Sequence, residues 1–599
     1  MREGLGARAQ RSSRRWLAAV LVLFCFPLFV NLGQPDLDND EAIYSFAVNR
    51  MAATGDWLVP RMIATADGPF LEKPPLKFWL VALPIRAGWL PADEFGLRFW
   101  DAVFGAASFV YVFRIGSWLL SPACGFVAVL LLFAHAPLLF SHGLRANTMD
   151  SAVVLAYCGG VYHYLRWTSP FGAAHLKGAV RLKADTTSSY VVSGVSPDVV
   201  SGFSRTLHVL AVALFFVLGF MTKFVAALFL PVILALTALV VPEHRSAVAR
   251  GWRVWALAGA VAAVLIAPWF LFAWNRFGTS FWHTILGVHV YQRFTSSLDP
   301  GHLHPWHYYL GEMYSFSETG ALLLTAAGLV LVGGWAAWRH APSAIVLVIW
   351  ALLPLAAISV VTSKIYHYAF PFLPPLALMG GYAAAIAPAV GWAPFDRALE
   401  RAYAGFVGFA RFFKQHVVQA LLATAIAVCF VLAAGSLLFG RVQLTIGAID
   451  LASAGVLRPG LAAVAFGLLM MPARRFRRQL LLLLVGSFLP LQNYRDSLAL
   501  VGAGVHPRRS VSSCIRAVQA AAGSPAGLRV DDPVETISHS VLYYFEPIRP
   551  WRHGPDAGDI PALVREPLAS HQRAAPLGEG MAVTLPPAYA ACGSSSDGR

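Results

Sequence analysis

Acidic and basic side chains gather in a few short stretches of this chain, and their spacing suggests chemistry. The first stretch is Asp36-Leu37-Asp38-Asn39-Asp40-Glu41, followed by Tyr44. Carboxylates in such a run suit a general base or a cation site. The plain alternative is a solvated loop in which Asp40 caps a helix. The second stretch is Glu72-Lys73-Pro74-Pro75, where two prolines stiffen the backbone beside an acid and a base. Lys73 is a ready phosphate contact, and Glu72 can orient it or hold a substrate. Trp79 reads instead as an interfacial anchor. Arg145 and Asp150 bound a third stretch, as ligand groups or as a structural pair. Lys223 and Lys364 with His367 complete the set, although His367 also suits an interfacial position. His302, His304 and His307 form His-x-His-x-x-His, but Pro305 interrupts this metal-like spacing and no acid adjoins it. Arg98-Phe99-Trp100-Asp101 reads as a helix-end charge pair.

The elements that must position these groups are membrane helices. Of 599 residues, 57% are hydrophobic and 13% charged, against roughly 25% charged in soluble domains. The apolar residues come in blocks of about 20, the length that crosses a hydrocarbon core of roughly 30 Å. The formal net charge of +15 lies in short clusters between those blocks, which excludes an extended nucleic-acid surface. The cluster Arg2 to Arg15 precedes the apolar run 16–33 and is followed by no small-residue cleavage site, so a retained first helix is expected. Further spans are expected near 96–119, 122–141, 148–166, 207–221, 224–242, 254–274, 319–338, 343–361, 368–389, 416–439, 448–471 and 479–492. The total is about 13.

With residues 1–15 cytoplasmic, the basic clusters at 243–253, 338–340, 397–414 and 473–478 all fall on the cytoplasmic side. Asp40, Glu41, Glu72, Lys73, Arg145, Asp150, Lys223, Lys364 and His367 then share the outer side. Nothing in the charge rule requires that agreement. The long loops 34–95 and 275–318 are also outer, and long ordered loops usually carry function. The stretch 168–206, rich in Ser, Thr and Gly, reads as a flexible cytoplasmic insertion. Residues 16–499 form the membrane domain. Residues 500–599 are soluble in composition and expected outside as a small α/β domain, with strand- or helix-like segments at Gly527–Asp531 and Ser538–Tyr544. There Cys514 and Cys592 either pair, in an oxidising compartment, or stay as two thiols.

Asp40-Glu-x-x-Tyr44, Gly55-Asp-Trp-x-x-Pro60 and Glu72-Lys-Pro-Pro-Leu-x-x-Trp79 together resemble the protein O-mannosyltransferase and aminoarabinose (lipid A) transferase superfamily. Arg145–Asp150, Thr222-Lys223, Pro268-Trp269, the Tyr291–Phe294 loop and Ser363-Lys364-Ile365-Tyr366-His367-Tyr368 with Pro371 fit the same pattern in order. The resemblance covers roughly residues 15–390. It implies a mainly α, polytopic GT-C fold and inverting transfer of a hexosyl or pentosyl group from a polyprenyl-phosphate donor to a lipid or protein acceptor. By the same resemblance Asp40 is the base for an acceptor hydroxyl, or orients a phosphate acceptor. Lys73, Lys364 and His367 neutralise the departing phosphate. Glu72 and Asp150 hold hydroxyls, and Glu41, Tyr44, Arg145 and Lys223 contact substrate. A divalent cation is admitted by the acids but required by nothing. The resemblance leans to a bacterial inner membrane with a periplasmic site. Three features depart from the pattern: Ile43 where aminoarabinose transferases tend to carry arginine, Phe224 where many members have glycine, and the 168–206 insertion.

The competing class is a transporter or flippase of lipid-linked sugars. That class predicts charges spread through the spans and often an internal repeat, and neither is visible here.

Overall fold

The computed structural model describes residues 13–61, 69–168, 202–292, 300–316, 319–339, 341–386, 415–439 and 442–446, with shorter pieces of the remainder. It is mainly helical. The first helix, α1 (residues 13–29), widens through a π turn at Leu21–Cys25 and then tightens into a 3-10 turn at Phe26–Phe29 around Pro27. The next two helices lie inside the stretch read as the first outer loop: α2 (Asn39–Thr54) and α3 (Leu76–Arg86). Asp38, not Asp40, caps α2. Its carboxylate accepts from the first-turn backbone while Glu41 reaches back to the Asp38 N–H, a capping box. Gly55 ends the helix at φ 75°, a left-handed position that glycine adopts without strain.

Then follow α4 (Glu94–Leu119), α5 (Pro122–Phe133), α6 (Asp150–Thr168), α7 (Gly202–Lys223), α8 (Phe229–Val240), α9 (Pro242–Arg250) and α10 (Trp252–Phe277). After a π-helical stretch, His283–Gln292, come α11 (Tyr308–Phe316), α12 (Thr319–Arg339), α13 (Pro342–Val360), α14 (Leu373–Ile386) and α15 (Gln415–Phe439). Among the described residues, six segments are long and apolar enough to cross a membrane: Glu94–Leu119, Arg205–Val240, Trp252–Phe277, Pro342–Val360, Tyr366–Ile386 and His416–Ser436. The chain is an integral membrane protein.

Arg205–Val240 reverses direction, as two expected spans require. Asp150 at the start of α6 pairs with Lys223 at the end of α7 at 2.6 Å. Midway, a Cβ on Gly159 would lie 2.4 Å from the Phe215 ring, so the two helices run antiparallel in close contact. The chain turns at Phe224–Leu228, where Phe224 has φ 31°. It then returns beside α6, with the Tyr157 hydroxyl donating to the Ala226 carbonyl at 2.5 Å and Leu230 seated on Gly160. Helices α4 and α5 cross where Gly116 meets Gly125. A Cβ on Gly116 would lie 2.5 Å from the Gly125 Cα, the close backbone approach that small residues allow in membranes. Phe24, Phe109, Phe133, Tyr157, Trp350 and Phe370 fill the core between α1, α4, α5, α6, α13 and the turn before α14.

One expected span is corrected at its start. Residues 449–453 are a strand, β2 (Ile449–Ser453), paired antiparallel with β1 (Val442–Ile446). Alternation of Val442, Leu444 and Ile446 has the period of a strand, not of a helix. Most of the expected span 479–492 and most of 168–206 lie outside the described residues, as do Cys514 and Cys592. In the tail, β3 (Leu528–Val530), β4 (Trp551–Arg552), β5 (Ala562–Arg565), β6 (Ala574–Gly578) and β7 (Met581–Thr584) form one mixed sheet in the order β4-β3-β5-β7-β6. The tail touches the α2 end of the bundle. The Tyr544 hydroxyl accepts from the Leu37 N–H and donates to Glu94, each at 2.8 Å, and Ser512 donates to Asp36.

Candidate active site

Two buried ion pairs build the floor on which the site stands. Arg98 on α4 donates to both oxygens of Glu41 at 2.7 and 2.6 Å, and to the carbonyls of Leu32, Pro35 and Asp36. The remaining capacity of Glu41 is taken by the Asp38 and Asn147 N–H groups. Beside it, Lys77 on α3 donates to Asp101 at 2.8 Å and to the Asn147 side chain at 3.1 Å. Asn147 in turn reaches Ser45 on α2. These contacts fix α2, α3, α4 and the loop before α6 relative to one another.

Above this floor lies a cleft with about 1040 Å³ of empty space. Its polar wall carries Glu72, Lys73, Asp150, Lys223, His289 and Tyr368. The rest of its lining is largely apolar and includes Phe224, Val225, Phe229, Ile285, Ile358 and Phe372. Each lysine has a carboxylate. Lys223 Nζ is 2.6 Å from Asp150 Oδ1 and 5.2 Å from the centre of the Tyr368 ring. Lys73 Nζ is 3.8 Å from Glu72, whose other oxygen is 3.3 Å from His289 Nε2. Both lysine positions follow from local structure. Lys223 ends α7 where the chain must turn, and Lys73 precedes the two prolines that lead into α3.

Tyr44, one turn along α2 from Asp40, joins the acids of this region. Burial first, and then the negative charges of Asp40, Asp150 and Glu72, hold its phenol well above the ordinary value. It is therefore a neutral hydroxyl in a field of carboxylates. Asp40 is 40% exposed in its side chain, and its carboxylate lies 3.6 Å from His142 Nδ1. His142 stacks on His367 with centroids 4.5 Å apart. Its backbone is left-handed, φ 58°, which costs a non-glycine residue of order 1–3 kcal/mol and often marks a functional position.

The structure thus brings Glu72, Lys73, Asp150 and Lys223 into one cleft, with Tyr44 beside their carboxylates. Asp40 and His367 meet through His142. Three expectations are corrected. Glu41, 4% exposed, spends both oxygens on Arg98 and backbone N–H groups, so it is placed to position α2 and does not line the cleft. Arg145 donates to the Pro27 and Val30 carbonyls at 2.6 and 2.7 Å, holding the end of α1. Lys364 Nζ donates to the carbonyls of His304 and Val361 at 2.9 and 2.5 Å and does not line the cleft. The His302–His307 segment therefore serves as the seat of Lys364, whose N–H also donates to the His302 carbonyl. Among the described residues, no group of three or more His, Cys, Asp or Glu is arranged to hold a metal. Sequence reasoning missed His142, His289 and Tyr368 as site groups. Tyr368 stood within the Ser363–Tyr368 motif and His289 two residues before the Tyr291–Phe294 stretch, whereas His142 carried no signal.

No protein-family model matches the chain. It is 28% identical over 374 residues to the undecaprenyl phosphate-alpha-4-amino-4-deoxy-L-arabinose arabinosyl transferase 1 of Sodalis glossinidius, covering 62% of this chain and 59% of that protein. It is 29% identical over 380 residues to the corresponding transferase of Pectobacterium carotovorum, with the same two shares. The chain thus spans about three fifths of the length of these curated relatives. Among solved structures, ArnT from Cupriavidus metallidurans bound to undecaprenyl phosphate superposes with a TM-score of 0.57 at 16% identity, covering 96% of this chain and 98% of that one. The apo oligosaccharyltransferase of Archaeoglobus fulgidus superposes with a TM-score of 0.51 at 11% identity, covering 89% and 64%. The fold is that of these GT-C glycosyltransferases, as the motifs lead one to expect.

Proposed function

We propose that this chain is a membrane glycosyltransferase that moves a sugar from a polyprenyl-phosphate donor to a lipid or protein acceptor, at the periplasmic face of a bacterial inner membrane. The observation that carries this reading is the cleft itself, lined by two lysines backed by carboxylates together with apolar side chains. A prenyl phosphate needs both surfaces, one for the phosphate and one for the first isoprene units. The names of the curated relatives and the undecaprenyl phosphate bound to ArnT support the same chemistry. The relatives' donor, the 4-amino-4-deoxy-arabinose phosphodiester, is the first to test.

In the transfer, the bond from the sugar's anomeric carbon to the phosphate oxygen breaks, and the phosphate leaves with the electron pair. Lys73 and Lys223 stabilise the charge that develops there, an electrostatic role that strengthens as the bond opens. Glu72 and Asp150 hold those lysines in place and, with the Tyr44 hydroxyl, present partners for sugar hydroxyls. Asp40, at the edge of the site, accepts the proton of an acceptor hydroxyl. For a phosphate acceptor it fixes the acceptor's position instead. Attack from the face opposite the phosphate inverts the anomeric centre.

The test uses purified full-length protein, radiolabelled polyprenyl-phosphate sugars and a membrane-lipid extract, with Asp40→Asn, Lys73→Ala and Lys223→Met alongside. Transfer by the wild type that falls by about 100-fold in each lysine variant supports the reading. Donor that stays intact while reconstituted protein carries labelled lipid across vesicles would replace it with a transporter.

A further inference from the structure

Helix α11 turns a different chemistry to each side. Tyr309 and Met313 are buried, and Tyr309 lines the catalytic cleft. Trp306, in the turn that leads into the helix, and then Leu310 and Tyr314 recur every four positions and stand 69%, 62% and 67% exposed. Side chains four apart share a helix face. His307, Gly311 and Ser315, each one position further on, are exposed too, but polar or small. Glu312, the single acid of the helix, is half-buried. One exposed apolar side chain needs no explanation. A Trp-Leu-Tyr row beside a polar row is the pattern of a helix that lies in a membrane surface.

The helix also stands at the level where such a surface is. Val360 ends the span α13 and Tyr366 opens the span Tyr366–Ile386, so the residues between them lie at the edge of the membrane. In that turn Lys364 donates its N–H to the His302 carbonyl at 2.8 Å, and Ser363 bridges Leu303 antiparallel. The lead into α11 is thereby tied to the membrane edge. At the other end, Phe316 stands three positions before Thr319, where α12 begins. Val361 and Ser363 of the same turn line the cleft, which makes this the edge on the cleft side.

We propose that α11 lies in the headgroup boundary of the leaflet on the cleft side, with Trp306, Leu310 and Tyr314 directed into the acyl region. Trp and Tyr favour that boundary. Lipid is the occupant of the exposed row because the chain is held at the membrane edge on both sides of the helix. Through Tyr309, α11 then forms a wall between bilayer and cleft, and lipid packing on one side bears on a cleft side chain on the other.

Full-length protein in phosphatidylcholine nanodiscs is spin-labelled at Leu310→Cys, Tyr314→Cys, Gly311→Cys and Ser315→Cys, one site at a time. A Cβ on Gly311 meets nothing within 4 Å, so that label has room. Labelled wild type supplies the signal of the native thiols for subtraction. Relaxation by oxygen, which partitions into lipid, is compared with relaxation by a water-soluble nickel chelate. The oxygen-to-nickel ratio at 310 and 314 should exceed that at 311 and 315 by at least about threefold. Equal ratios at the four sites, or nickel dominating at 310 and 314, overturn the proposal. If the cysteine variants do not fold, unmodified protein in nanodiscs whose lipids carry a diazirine below the headgroup decides alone. Crosslinks to the segment 306–314 are then expected, and their absence overturns the proposal. Neither readout needs donor or turnover, so failure of the proposed transfer reaction would leave this result standing.

Discussion

Replacing Glu41 with glutamine separates a positioning role from a substrate contact. Glu41 Oε1 accepts from Arg98 Nε and from the Asn147 N–H, and Oε2 accepts from Arg98 and from the Asp38 N–H. A glutamine of the same shape keeps one of those oxygens and puts an NH2 where the other stood. Two of four bonds are lost, and a donor then faces two donors. At about 1.5–3 kcal/mol for a hydrogen bond to a charged group, the loss is about 3–6 kcal/mol. That agrees with the roughly 3–5 kcal/mol expected for leaving a buried charge such as Arg98 without its partner. At about 2–4 °C per kcal/mol, Glu41→Gln should melt roughly 6–20 °C below the wild type in detergent. Below that temperature its donor-lipid Kd should stay within about twofold. Removing both charges, as Glu41→Leu/Arg98→Met, should recover part of the loss, because an apolar pair carries no stranded charge. A Glu41→Gln protein that melts like the wild type but no longer binds donor would refute the reasoning and return Glu41 to the substrate.

His142→Asn keeps a residue type that tolerates the left-handed backbone while removing the imidazole beside Asp40. It should slow transfer at least about tenfold with little change in melting, whereas His142→Val should also lose about 1–3 kcal/mol of stability. Gly116→Ala forces a Cβ to 2.5 Å from the Gly125 Cα and should cost about 1–3 kcal/mol, read as a lower melting temperature. Burial raises the Asp36 carboxyl above its ordinary value of 3.8, against the bonds from Ser512 that lower it. Its contribution therefore favours the folded state at low pH and is lost as pH rises through the raised value. Asp36→Asn should flatten the pH dependence of melting in the window that opens just above 3.8.

Much of the fold was legible because lipid-facing helices must be apolar throughout, so blocks such as 254–274 and 343–361 declare themselves by length. Helices α2 and α3 did not, because they bury against protein instead of lipid and need not be apolar on every side. Their prolines and charges therefore looked like a loop. Asp40 and Glu41 show the finer limit. Neighbours on a helix point about 100° apart, so one faces the site and the other the core. Only the cap at Asp38 decides which is which, and two adjacent acids do not reveal it. Lys73, Asp150 and Lys223 were readable because a charge at a helix end in an apolar chain is rare. His142 was not, since its importance comes from a left-handed backbone and a partner, His367, 225 residues away.

The Tyr544 hydroxyl, wedged between the Leu37 N–H and Glu94, gives the C-terminal residues a reach beyond their own sheet. Leu37 immediately precedes the cap of α2, so the segment that aims Asp40 is latched by a side chain more than five hundred positions downstream. Release of that latch would strand the Leu37 N–H, at a cost of about 1–3 kcal/mol, and let the start of α2 drift. A protease that clipped only the tail would then unsettle the aim of Asp40 without touching a single group in the cleft.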